Sequence, residues 1–477
     1  MLFFMPHSFS SATGWAALAN VIRIGVQLIQ LIVMTRFLSP DDYGLMALVV
    51  VTIGFVNLFG DMGLSTAFIQ RQDITQEERS SLYWLGVVIG CCCMVGVVGL
   101  SPILADFYGR SELMPLLTLI SINFVVTALG QQLRTDAEKR LDFKPLSLID
   151  IAAALAGLFV AVWGAVNALG VYALIAASIF TATLSTILSW LILSNGWRPL
   201  LRLRWSDVRR FLSFGGAMVF NNVINYINTN MDVFLSGRFL GASQLGLYSV
   251  PRNLILQVQF AINPIFTRVG FPAIASVQQD RDCVQKIYLK IMNATASINA
   301  PIYTAIFIFS PEFVRVFLGI EFHDAASLMQ VLALWGLLRS FGNPIGSLLF
   351  GLGKVRLSVF WNLGLLFFLP VGLWIGLQYG VMGMAWSMVV MMALLFLPGW
   401  AILVRPNCGV GLWLYTEQIF RPCFCALISG FIAWLVVFPA STDLLRLVLG
   451  LTAGFLIYVF LSYKLNKTFI ELIFKKN

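Results

Sequence analysis

The sequence predicts an all-α polytopic membrane protein with about 14 transmembrane helices, and three observations predict it. Its 477 residues are 59% hydrophobic and only 11% charged, with a mean hydropathy of +0.86; soluble domains are closer to about a quarter charged. Apolar stretches of about 20 residues, enough to cross a bilayer, recur along the whole chain. Lys and Arg are unevenly shared among the connections. With the N-terminus inside, 23 of the 31 fall in cytoplasmic segments, five in external ones and three within spans. That bias predicts both termini in the cytoplasm, and it makes the net charge of +9 a topology signal and not a nucleic-acid footprint.

The elements follow in order. Span one, 12–34, carries Asn20, Arg23, Gln27 and Gln30 at intervals of 3, 4 and 3, which puts them on one helix face. The first basic residue, Arg23, already lies inside this span, so no signal-peptide n-region is expected. Span two, 44–69, follows Pro40-Asp41-Asp42, where N-capping accounts for the acids, and contains Asn57 and Asp61. Spans three to six are 82–101, 113–133, 146–166 and 170–193. Cys91, Cys92 and Cys93 in span three point about 100° apart and read as packing residues. With only His7 and His323 in the chain, neither a metal site nor a cofactor is expected. Span seven, 211–236, carries Asn222, Asn225, Thr229 and Asp232; span eight, 245–271, carries Arg252, Gln259 and Asn263. Pro251 precedes Arg252 and is expected to free backbone carbonyls there. Spans nine and ten are 287–309 and 325–350, the latter with Arg339 before the helix-breaking string Gly342-Asn343-Pro344-Ile345-Gly346. The last four are 357–377, 381–403, 422–438 and 444–463.

A shift of 202 positions superimposes part of the chain on itself. Asn20-Val21-Ile22 falls on Asn222-Val223-Ile224, Arg36-Phe37-Leu38 on Arg238-Phe239-Leu240, and Gly44-Leu45 on Gly246-Leu247. Six spans separate the copies, so the repeat is parallel, with its axis along the membrane normal. The expected division is a six-helix lobe over 1–200, a second over 201–404, and two further helices with a basic tail over 405–477. The stripe of span one falls on the stripe of span seven, and Asn57 and Asp61 fall on Gln259 and Asn263. A central Arg or Asp in hydrocarbon costs about 2.5–3.5 kcal/mol on insertion scales. These stripes are therefore expected to face protein or a central polar cavity between the lobes. Interhelical hydrogen bonding is the competing use for the amides.

Five stretches stand out: GDMGLSTAFIQRQDIT at 60–75, SLYWLGV at 81–87, INYINTNMD at 224–232, INPIFTRVGFPAIASVQQD at 262–280 and GLLRSFGNPIGSLL at 336–349. In them the chain resembles the polysaccharide transporters of the multidrug/oligosaccharidyl-lipid/polysaccharide exporter superfamily, and among these the Wzx-type flippases related to the colanic acid exporter. The resemblance implies two six-helix lobes around a cavity that opens alternately to each side. It also implies a substrate, an undecaprenyl-diphosphate-linked oligosaccharide, moved across the bacterial inner membrane for surface polysaccharide synthesis. A polysaccharide polymerase and co-polymerase are the expected protein partners. Asp61, Arg71, Asn263, Pro264, Arg268, Pro272, Arg339, Asn343 and Pro344 stand at its motif positions.

Arg suits a diphosphate because its fork binds bidentately. Arg23, Arg252 and Arg339, with the amides above, are thus the candidate substrate contacts, and Asp61 and Asp232 the candidates for ion coupling. A cation-coupled multidrug exporter is the nearest alternative, but intramembrane arginines suit an anionic cargo better. A membrane polymerase or glycosyltransferase would need a sizeable extramembrane region, and none is visible; an enzyme is not expected.

Overall fold

A computed structural model describes residues 7–71 and 73–466, which are helical with no strand among them. The chain forms two compact units, Met1–Gly246 and Leu247–Asn477. The first contains α1 (His7–Met34), α2 (Pro40–Gly60), α3 (Leu64–Gln70), α4 (Gln76–Tyr108) and α5 (Leu113–Ile120). It continues with α6 (Ile122–Lys139), α7 (Phe143–Val166), α8 (Val171–Leu193) and α9 (Trp205–Phe239). Helix α10 (Ala242–Ala275) begins in the first unit and runs on into the second. There follow α11 (Arg281–Ile308), α12 (Ser310–Phe313), α13 (Ala325–Ser340), α14 (Asn343–Gly351) and α15 (Val355–Leu377). The last four are α16 (Gly380–Pro398), α17 (Arg405–Cys408), α18 (Leu412–Val437) and α19 (Asp443–Leu465).

Every apolar stretch of the sequence falls on helix. Among the described residues, thirteen helical segments are long and apolar enough to cross a membrane. Helix α9, at the place of span seven, is not one of them: five asparagines lie between 221 and 230. Two boundaries need correction. Span two is not continuous, because α2 stops at Gly60 and α3 restarts at Leu64. Met62 and Gly63 take left-handed backbone, φ 46° and 76°, which glycine accepts without penalty and methionine does not. Span thirteen starts earlier than its apolar run, since α18 opens at Leu412; an i,i+4 pair of Glu417 and Arg421 supports that added polar turn. Pro251, Pro264 and Pro272 all lie inside α10, which is unbroken over 34 residues. The tail lysines Lys467, Lys475 and Lys476 lie outside the described residues.

Packing in the first unit rests on small residues and on caps. Helix α2 opens with a capping box: Ser39 Oγ accepts from the Asp42 N–H at 3.3 Å, and Asp42 Oδ2 accepts from the Ser39 N–H at 3.1 Å. A Cβ added at Gly44 would lie 1.9 Å from the Ala242 carbonyl oxygen, and one at Gly246 would lie 1.7 Å from that of Pro40. Positions 44 and 246, like 40 and 242, are 202 apart, so the two contacts are copies of one another. At Gly157 a Cβ would meet Thr181 Oγ1 at 2.0 Å, so α7 and α8 pack with their backbones close. Tyr226 of α9 donates its hydroxyl to the Val51 carbonyl at 2.8 Å, tying α9 to α2.

In the second unit the last helix joins α11 through polar bonds in a buried seam. Asn293 Nδ2 donates to Asn466 Oδ1 at 3.1 Å, Asn466 Nδ2 donates to Ser297 Oγ at 2.8 Å, and the Tyr458 hydroxyl donates to the Ser297 carbonyl at 2.7 Å. At the other end of α19, Arg315 makes a bidentate contact with Asp443 at 2.9 Å on both arms, and that hydrogen bonding raises the Arg315 pKa.

Candidate functional site: a polar cavity within the first unit

Helices α1, α2, α5, α6, α7 and α8 line a half-open cavity of about 630 Å³ whose lining residues all belong to the first unit. Helix α1 supplies Arg23, Gln27 and Gln30, three of the four residues of the predicted stripe; the fourth, Asn20, accepts a 3.0 Å hydrogen bond from Arg23 Nη2. Asn57 comes from α2. Arg23, Gln27, Gln30 and Asn57 share one space, which lies within the first unit. Ser147 Oγ donates to the Trp15 carbonyl at 3.0 Å and fixes α1 against α7, which sets the height of the stripe.

The opposite wall also carries polar groups, set among apolar ones such as Phe124 and Leu174. Asn123 and Thr127 of α6, Asp150 of α7, and Ser178, Thr181 and Ser185 of α8 all line the cavity. Asn123 Nδ2 donates to Ser178 Oγ at 2.9 Å. Arg134 of α6 binds Asp150 Oδ1 through Nη2 at 2.6 Å and Ser185 Oγ through Nη1 at 3.1 Å, a charge-assisted junction of three helices. None of these residues was among the sequence candidates. Arg134 lies one residue beyond the predicted end of span four at 133, yet α6 continues to Lys139 and places it within the helix. The signals were there: Asp150 is the sole acid of 146–166, and Ser178, Thr181 and Ser185 follow a 3, 4 spacing.

A second cavity of about 180 Å³ adjoins the first, sharing Asn57, Phe124 and Thr127 with it. Asp61 lies in its wall, at the break between α2 and α3. It accepts from the Ser65 N–H at 3.2 Å and, closely, from the Ser65 hydroxyl. Thr135 and Gln131 of α6 reach the same Ser65 oxygen at 3.1 and 3.3 Å. Asp61 thus accepts from the first turn of α3, and Ser65 in turn joins α3 to α6 beside this cavity.

The remaining candidates are placed differently. On α9, Asn222, Asn225 and Thr229 are half-buried and Asp232 is buried; Asn225 Nδ2 donates back to the Asn221 carbonyl at 3.1 Å. In the second unit Arg252 and Gln259 are each only 3% exposed, and Gln259 Nε2 donates to the Gly336 carbonyl at 3.1 Å, joining α10 to α13. Asn343 Nδ2 donates to Asn263 Oδ1 at 2.5 Å, which brings two of the resemblance's motifs together at the break between α13 and α14. Arg339 lies over the Trp335 ring at 5.1 Å. Among the described residues no cluster could hold a metal ion.

Fold and cavity together define a multi-pass, all-helical membrane protein with a polar compartment inside its helices, the build of a transporter. Comparison narrows this. A family model described as "Polysaccharide biosynthesis protein" matches residues 33–327, more than half of the chain. The chain is 30% identical over 430 residues to the lipopolysaccharide biosynthesis protein WzxC of Escherichia coli (strain K12), covering 87% of this chain and 85% of that one. It is 28% identical over 463 residues to the teichuronic acid biosynthesis protein TuaB of Bacillus subtilis (strain 168), covering 95% of each. This chain belongs to the polysaccharide biosynthesis protein family. Its fold is that of the lipid II flippase MurJ in an inward closed conformation, with a TM-score of 0.74 at 13% identity over 97% of this chain and 99% of that one. An inward-facing multidrug resistance MATE transporter of the MOP superfamily has the same fold, with a TM-score of 0.61 at 13% identity over 80% and 97%.

Proposed function

We propose that the chain is a flippase. It carries an undecaprenyl-diphosphate-linked oligosaccharide repeat unit from the cytoplasmic to the periplasmic leaflet of a bacterial inner membrane by alternating access, for synthesis of a surface polysaccharide. Both termini face the cytoplasm, the repeat divides the chain into lobes at 1–200 and 201–404, and 405–477 adds two helices. A polymerase and co-polymerase take up the product.

One observation carries this reading: membrane helices of a polysaccharide biosynthesis protein line a half-open cavity whose wall bears Arg23 together with hydroxyls and amides. Sugars need hydrogen-bond partners to leave water, since an unpaired polar group costs roughly 2–7 kcal/mol in an apolar medium. The wall supplies such partners on both sides. Arg23, Gln27, Gln30 and Asn57 contact the cargo from the first lobe, with Asn20 holding Arg23. Asn222, Asn225, Thr229, Arg252, Gln259, Asn263 and Arg339 are assigned the same role on α9, α10 and α13, and Asp61 and Asp232 couple movement to an ion gradient. The multidrug-exporter alternative fits less well, because the carboxylate that an organic cation would seek, Asp150, is already paired with Arg134 at 2.6 Å.

Deletion of the gene tests the reading. Diphosphate-linked repeat units should build up in the inner leaflet while one surface polysaccharide disappears. Loss of drug resistance with normal surface polysaccharide would favour the exporter instead.

A further inference from the structure

The connection from α8 to α9, residues 194–204, is bonded firmly to the start of α4 and yet leaves apolar side chains uncovered. The Leu200 N–H donates to Ser80 Oγ at 3.0 Å, Trp84 Nε1 donates to the Leu200 carbonyl at 2.8 Å, and the Arg204 N–H donates to Ser81 Oγ at 3.4 Å. Upstream, Trp197 stacks on Trp190 with ring centroids 6.2 Å apart. Between these anchors the Arg202 N–H donates to the Leu200 carbonyl at 2.7 Å, closing a tight turn with Leu201 at its tip. Leu201 is 91% exposed, Leu203 50% and Trp205 65%. The backbone is held on both sides of the tip, so these side chains are presented outward by a fixed support.

The height of the tip indicates what covers it. Its anchors Ser80 and Trp84 bracket residue 82, where the apolar run of span three begins. The tip is therefore level with the edge of the hydrocarbon layer. Leu191 and Ile192, at the end of α8, are exposed as well and carry the lipid-facing surface of that helix towards it. Tryptophan, with an apolar body and one polar edge, suits the headgroup layer. The charge narrows the choice of lipid. Residues 194–210 hold five arginines and one aspartate, a net charge of +4. Arg202 is engaged by Glu77 and Asp207, whereas Arg198 and Arg209 are exposed and form no ion pair among the described residues.

We infer that this strap is an interfacial anchor for anionic phospholipid. Leu201, Leu203 and Trp205 enter the boundary between headgroups and acyl chains, and Arg198 and Arg209 meet the phosphates. The contact is independent of the flippase reading; the orientation proposed above makes the leaflet the cytoplasmic one.

The test places the full-length protein in lipid nanodiscs, which leave both faces open to water. Two single variants, Leu201→Cys at the tip and Gln279→Cys in an exposed polar turn, are labelled with a neutral poly(ethylene glycol) maleimide too polar to enter lipid. Peptide mass spectrometry reads the rate at each position apart from the native cysteines. In discs of phosphatidylethanolamine and phosphatidylglycerol, position 201 should react about tenfold more slowly than position 279, the low end of what burying one leucine side chain is worth. Replacing the lipid by phosphatidylcholine should narrow that gap about fivefold, the scale of one arginine at an anionic surface. Arg198→Gln with Arg209→Gln should narrow it likewise in the phosphatidylglycerol discs. Equal rates at 201 and 279 in those discs would overturn the anchor, and this is the result expected if the leucines instead await a protein partner. A gap that neither the lipid exchange nor the arginine pair alters would overturn the preference for anionic lipid. The flippase reading fails on a different result, unchanged lipid-linked intermediates after gene deletion.

Discussion

Replacing Asp150 by Ala should destabilise the first unit through the arginine it leaves behind. At 2.6 Å, two unit charges attract by about 6 kcal/mol at an effective dielectric of about 20. That gross figure is not the net loss. The side chains retain 23% and 32% exposure, so solvent screens them, and removing the carboxylate also removes the desolvation cost it carried in the folded state. Breaking a fully buried pair costs about 3–5 kcal/mol; for this half-buried one about 1–3 kcal/mol is expected, because Arg134 keeps its bond to Ser185 at 3.1 Å. The assay is thermal or denaturant unfolding of the detergent-purified protein, in a cycle of Asp150→Ala, Arg134→Met and the double variant. Each single variant should be less stable than wild type, and the double variant should recover most of the loss, since an apolar pair leaves no stranded charge. A stable Asp150→Ala protein, or a double variant no better than the singles, would refute the reasoning.

Two further predictions follow from local geometry. Gly246→Ala would press a Cβ against the Pro40 carbonyl oxygen, 1.7 Å away, and backbone cannot rotate aside as a side chain can. It should cost roughly 1–3 kcal/mol, read as lower yield and a lower melting temperature, and Gly44→Ala should behave alike. Asp207 predicts a pH dependence: burial alone would raise its carboxyl, but hydrogen bonds from Ser81 and Ser206, with Arg202 and Arg204 nearby, outweigh this and hold it below the usual range. A depressed folded-state pKa contributes stability that is present above the unfolded value of about 3.9 and lost as pH falls through the folded one. Asp207→Asn should therefore flatten the acid limb of the stability curve below about pH 4 and leave its neutral part with the same slope.

Much of the fold could be read from the chain because hydrocarbon demands long apolar helices and little else. The 202-residue repeat was equally legible, and its glycines at 44 and 246 turned out to make matching contacts. The site was legible only in part. Arg23, Gln27 and Gln30 declared themselves through helical spacing around a charge that lipid would not tolerate. Ser178, Thr181 and Ser185 did not, since a hydroxyl in a membrane helix can bond its own preceding turn, as Thr181 does with the Ala177 carbonyl at 2.7 Å. Arg134 was hidden by its position near a helix end, where a charge ordinarily marks the membrane boundary. Only the packing of α6 on α7 and α8 reveals that it meets Asp150. Gln259, an amide on a repeated stripe, gives one donor to the Gly336 carbonyl of a neighbouring helix, a bond that spacing does not reveal.

The most direct measurement reconstitutes the purified protein in liposomes loaded with a polyprenyl-diphosphate-linked oligosaccharide and follows its appearance in the outer leaflet with a membrane-impermeant lectin or glycosidase. Movement should be fast compared with protein-free vesicles, and Arg23→Ala at equal protein content should slow it markedly. Transfer no faster than in empty vesicles would contradict the account, and so would a full rate once Arg23 and Asn57 are both replaced by alanine.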